Sequence, residues 1–152
     1  MTEGQPAELP HALVTGQQAH IELFALADRV EAINGKLYMM GGCFTEIWAG
    51  TFPATLSFGV AVAVSVPWNA TNQTIDIQVI FETQDGQEVG RLGVPLVVGR
   101  PPHLQPGDMQ TIPFAIPTLG IEARQAGTLI ARALLGGQEE RRLSLRVRPV
   151  GQ

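Results

Sequence analysis

Residues 56–66 read LSFGVAVAVSV. Leu56, Phe58, Val60, Val62, Val64 and Val66 share one parity; Ser57, Gly59, Ala61, Ala63 and Ser65 share the other. Extended backbone sends successive side chains to opposite sides. The segment is therefore a strand with one bulky face and one face of small, uncharged residues. The bulky face belongs to a core. The small face is unusual, because solvent-facing strand positions normally carry Lys, Glu, Thr or Arg. Left in water, such a strip would be a liability.

The same rhythm extends in both directions. Towards the C-terminus, Ile75, Ile77, Val79 and Phe81 alternate with Asp76, Gln78 and Glu82, and Asp85-Gly86 reads as a hairpin turn. Residues 88–98 follow as a strand edged by Pro95, which cannot donate a ladder hydrogen bond. A Pro-rich connection leads to a short edge strand at 111–117. Residues 120–125 are expected to form a single helical turn. Residues 128–135 and 141–147, joined through Gly136-Gly137, make a closing hairpin whose Leu143, Leu145 and Val147 alternate with Arg142, Ser144, Arg146 and Arg148. Towards the N-terminus, residues 20–27 read as a strand, although Phe24, Ala27, Val30 and Ile33 would also share a helical face. Asn34-Gly35 is a hairpin dipeptide because both residues tolerate positive φ. Return strands follow at 36–40 and 44–49, with Gly41-Gly42 allowing a bend or bulge between them. Eight or nine short strands at this spacing predict an all-β chain, a two-sheet antiparallel β-sandwich spanning 19–150. Residues 1–18, with Pro6 and Pro10, read as an N-terminal arm or flexible tail.

Composition narrows the function classes. The chain has 152 residues, one domain's length, with 45% hydrophobic and 16% charged residues. A net charge of −4 disfavours nucleic acid and anionic lipid as partners. No apolar run approaches the roughly 20 residues of a spanning helix. A single cysteine and a polar N-terminus suggest a cytoplasmic protein.

Residues 24–53, FALADRVEAINGKLYMMGGCFTEIWAGTFP, carry a resemblance. Ala27-Asp28, Gly35-Lys36-Leu37, Gly41, Phe44, Ile47, Ala49 and Phe52-Pro53 resemble the opening pattern of a family of small bacterial proteins of unknown function. The likeness extends in outline over residues 20–150, and the closing hairpin is similar to that of immunoglobulin-like sandwiches. What the resemblance implies is an immunoglobulin-like β-sandwich without assigned activity, and it transfers no catalytic residue. Cys43 and the run Tyr38-Met39-Met40 depart from the pattern.

Reactive constellations are sparse. Ser57, Ser65 and Ser144 are the only serines, all on strand faces and none in a Gly-x-Ser-x-Gly elbow. Cys43 is an alternative nucleophile, but a small buried hydrophobe is the simpler reading. His11, His20 and His103 lack paired metal-ligand spacing. No catalytic, metal or cofactor site is assigned, and no cofactor is expected.

Surfaces remain. The strip Gly59, Ala61, Ala63 and Ser65 is a candidate contact face, covered by the N-terminal arm or a second subunit, unless the strand lies inside the fold with both faces buried. Arg142, Arg146 and Arg148 form a basic strip, read foremost as a salt-bridged face with Asp76, Glu82 or the turn acids. Trp68, with Asn69 and Asn72, and Trp48 are candidates for stacking on a small ligand or sugar or for gripping a partner, although core packing at the sandwich ends is the expectation for both tryptophans. The expected function is a non-catalytic interaction or self-assembly module, a homo-oligomer or binder of a protein partner. A small-ligand or carbohydrate binder and an enzyme using Cys43 are the alternatives.

Overall fold

Nine strands in two sheets account for most of residues 18–151, the part described by the computed structural model. They are β1 His20–Ile33, β2 Lys36–Gly42, β3 Glu46–Ala49, β4 Ala54–Pro67, β5 Thr74–Thr83, β6 Glu88–Val97, β7 Met109–Ala123, β8 Gly127–Leu135 and β9 Gln138–Pro149. One sheet runs β2-β1-β4-β7 and the other β3-β9-β8-β5-β6. All pairings are antiparallel except β3 with β9. With β4 and β7 in one sheet facing β5, β8 and β9 in the other, the strand order follows the B–E and C–F–G pairings of an immunoglobulin-like sandwich. The β1–β2 hairpin is the addition to that plan. The arm assigned to residues 1–18 lies outside the described residues, apart from Gln18.

The bulky face of β4 is the core. Leu56, Phe58, Val60, Val62, Val64 and Val66 are buried against Ile77, Val79, Phe81, Leu129, Ala131, Ala133, Leu145 and Val147 of the facing sheet. Phe58 packs on Phe81 at 5.6 Å between ring centroids and on Phe44 at 6.4 Å. Alternation along each strand puts these residues on the inner faces, and burying them drives the two sheets together.

The small face is buried as well. Gly59 is buried, Ala61 is fully buried, and Ala63 and Ser65 are nearly so. The cover is the chain's own hairpin. Pairing of β1 with β4 stops at Ala27↔Gly59, whereas pairing with β2 continues to Ile33↔Lys36. Between the pairs Ala27↔Gly42 and Arg29↔Met40 the hairpin bends; there Gly41 has φ +68°, and the Asp28 carboxyl group occupies the space a Cβ on Gly41 would need. Beyond the bend, Val30 and Leu37 turn back onto the sheet and join Ala27, Ala61 and Ala115 in a second apolar cluster. The strip is thus no open contact face. Its small side chains let one layer of backbone approach another.

Two local expectations are corrected. Residues 120–125 form no helical turn, and the strand expected at 111–117 is one of fifteen residues, Met109–Ala123. Its pairing with β4 runs on to Ala54↔Ala123, sending Ile121 and Ala123 into the core. That long ladder outweighs the local signal. A bulge opposite Phe58/Val60 accommodates Pro117 on this edge strand. Another bulge, between Ile21 and Leu23, frees the Ile21 amide, which donates to the Glu140 carboxylate and ties the two sheets together.

Candidate interaction surface

The sequence-derived candidates disperse in the fold. Trp68 opens a short 3-10 turn after β4, and its ring is covered by Arg100, whose guanidinium carbon lies 3.6 Å from the ring centroid. Arg100 also donates to Thr71 Oγ1 at 2.8 Å and to the Trp68 carbonyl at 3.0 Å. The stacking face a sugar would use is therefore occupied by a protein cation. Asn72 adopts φ +60° and donates its amide to Val98, a turn role.

The arginines sit in a salt-bridged ladder on the outer face of the second sheet. Arg132 and Arg142 are direct register partners across β8 and β9. Like charges there would repel, and Glu139 resolves this by accepting from Arg132 at 2.6 Å and from Arg142 at 3.0 Å. Glu82 flanks Arg132 on the other side at 3.4 Å. The Arg132 hydrogen bond, reinforced by Arg142, holds the Glu139 carboxyl below its ordinary value. Arg148 pairs with Glu46 at 2.7 Å, and Arg146 donates to Thr128 at 3.4 Å. Asp76 joins none of these pairs; its carbonyl accepts from Gly136.

Cys43 is not the buried strand residue its sequence suggested. It is exposed, with φ +64°, in the bend after β2. His20 bonds the Gln18 carbonyl and, at 2.9 Å, Glu22. Among the described residues, no three His, Cys, Asp or Glu side chains gather as a metal site. No helix among them is long and apolar enough to cross a membrane. A cavity of about 680 Å³ opens at one end of the sandwich between residues 83–89 and 122–129. Asp85, Glu88, Glu122 and Arg124 line it, all exposed to solvent.

A further exposed surface is the side formed by β2 and β3, of which the sequence marked only Trp48. Met40 is 70% exposed, Trp48 58% and Tyr38 53%, with Met39 beside them. Trp48 is thus no core residue. It stands on the edge of the second sheet, next to a groove of about 510 Å³ whose walls include Gly41, Gly42, Phe44 and Ile47. Among the described residues, the groove joins the free edges of both sheets.

The four sheet edges are not alike. β7 carries Pro113 and Pro117, and β6 carries Pro95. β3 is only four residues long. Proline and brevity are the usual ways of blunting an edge. β2 has seven residues, no proline, and exposes Tyr38, Met39 and Met40. The available signal was the failure of residues 36–42 to alternate: three large apolar residues in succession cannot all be hidden by one sheet.

Comparisons add the following. A model described as Family of unknown function (DUF6941) matches residues 22–148. No curated protein matches the chain. Among solved structures, the chain is similar to the Pseudomonas fluorescens alkylpurine DNA glycosylase AlkC bound to DNA containing an abasic site analog. Identity is 11%, the match covers 90% of this chain and 32% of that one, and the TM-score is 0.47. This chain therefore spans about a third of the glycosylase's length. It is also similar to an immunoglobulin-like protein from Pseudomonas aeruginosa, with 16% identity, 86% and 97% coverage, and a TM-score of 0.36.

Proposed function

The chain belongs to the family of unknown function DUF6941, and from its surfaces we propose that it is a non-catalytic protein-interaction module whose partner docks on the β2 edge beside Trp48. One observation carries this reading: β2 is the sheet edge with neither proline nor brevity to protect it, and it presents large apolar side chains. Exposed backbone donors and acceptors supply affinity for another extended chain, and aromatic and methionine side chains supply contact area. The other candidates support a surface role less well. Arg132, Arg142 and Arg148 are engaged with carboxylates, Arg146 with Thr128, and Trp68 with Arg100.

The test is site-specific photocrosslinking in cells producing the protein. Crosslinkers at positions 38 and 48 should give one discrete protein adduct, and Met40→Glu should abolish it. A crosslinker at position 94, on the opposite edge, should give none. Equal labelling from all three positions, or adducts indifferent to Met40→Glu, would overturn the reading.

A further inference from the structure

Resting on that reading for its location, we propose that the occupant of the β2 edge is a second copy of this chain, paired β2 to β2 in antiparallel fashion about a two-fold axis at Met39.

Hairpin geometry fixes which backbone groups are free. The two-residue turn Asn34-Gly35 makes Ile33↔Lys36 the closing hydrogen-bonded pair. Hydrogen-bonded pairs alternate with non-bonded ones, so Glu31↔Tyr38 and Arg29↔Met40 also exchange bonds. Leu37, Met39 and Gly41 then point their amides and carbonyls outward. A Met39-centred dimer pairs Met39 with itself, giving about two inter-chain hydrogen bonds, and brings Leu37 to Gly41 twice, with further bonds limited by the bend at Gly41. No other two-fold register uses all three residues in this way.

Charge selects the same register. Arg29 stands beside Met40 and Glu31 beside Tyr38. Centring on Met39 builds two equivalent rows across four strands, each reading Arg29, Met40, then Tyr38 and Glu31 of the second copy. Each row ends in opposite charges about 14 Å apart between Cα atoms, and because Arg29 and Glu31 of one chain already pair at 3.5 Å, the ion pairs of the two copies face each other with opposite signs aligned. Each row also places a methionine sulfur against a tyrosine ring. Centring on Tyr38 would end the middle row in two glutamates, and centring on Met40 in two arginines. Like charges make both slipped registers less stable. The interface is a short edge, so the dimer is weak and concentration-dependent.

The experiment is sedimentation velocity on the full chain from low micromolar to millimolar concentration. A monomer–dimer equilibrium is expected. Met39→Pro should remove the dimer without unfolding the monomer, because the Met39 amide faces away from β1. Glu31→Arg should weaken association about two- to threefold at low salt by placing two arginines at the row ends, and Arg29→Glu with Glu31→Arg should restore it. The charge pair keeps the test decisive should Met39→Pro not fold. A chain that stays monomeric at every concentration, or a dimer indifferent to the charge reversal, overturns the proposal. If the chain is monomeric but crosslinks from positions 38 and 48 still reach a different protein, the self-pairing falls and the interaction module stands. If neither appears, both fall.

Discussion

Gly59 lies directly under Val30: a Cβ built at position 59 would come within 2.8 Å of Val30 Cγ2 and 3.0 Å of the Pro117 carbonyl oxygen. Three strands meet there. β4 supplies the floor, β1 bends over it, and β7 closes the side. Packing two backbones this closely leaves no room for even one methyl group.

Gly59→Ala is therefore expected to destabilise the chain by about 1–3 kcal/mol, the usual range for overpacking a well-filled site. Denaturant unfolding should show a lower midpoint with an unchanged slope. Val30→Ala in the same chain should recover part of the loss, and only part, because the carbonyl contact remains. Additive losses would show that the hairpin does not rest on β4.

Ala61→Glu distinguishes an internal strand from an assembly surface. Ala61 is fully buried in the second apolar cluster with no partner for a carboxylate. The expected result is loss of about 3 kcal/mol or more, seen as misfolding or a large fall in melting temperature. A stable, soluble variant with native circular dichroism would mean that the hairpin does not seal the strip.

Glu139 makes the outer face of the second sheet acid-sensitive. Its carboxyl is held below its ordinary value by Arg132 and then Arg142. A depressed carboxylate stabilises the fold above the unfolded-chain value, and that contribution disappears as pH falls through the lower, folded-state value. Glu139→Gln should cost about 1 kcal/mol or less at neutral pH, since the pairs are partly solvated. Below pH about 4 the gap between variant and parent should close, and added salt should narrow it at neutral pH. A gap independent of pH would assign the effect to packing rather than charge.

Arg100 is expected to control the Trp68 emission. In a Trp48→Phe background, Arg100→Ala should shift the remaining fluorescence to the red as the ring gains solvent. Stability should fall by about 0.5–2 kcal/mol from the lost cation–π contact. If the emission maximum stays unchanged, Arg100 does not cover the ring in solution.

The alternation of Leu56 to Val66 was enough to place β4, its bulky face and the sandwich class, because pleating assigns every second side chain to one side regardless of what lies beyond. Asn34-Gly35, Asp85-Gly86 and Gly136-Gly137 marked hairpins for an equally local reason: positive φ is tolerated by few residues. Tertiary structure decided what covers the small face. A two-residue period records that Ala61 differs from Val62 but not which distant backbone lies over it; Gly41-Gly42 allowed a bend, but no periodicity marks where that bend sends the hairpin. The same holds for the candidate surface. Tyr38, Met39 and Met40 are apolar in sequence wherever they sit, and only the finished sheet order leaves their strand at an unprotected edge.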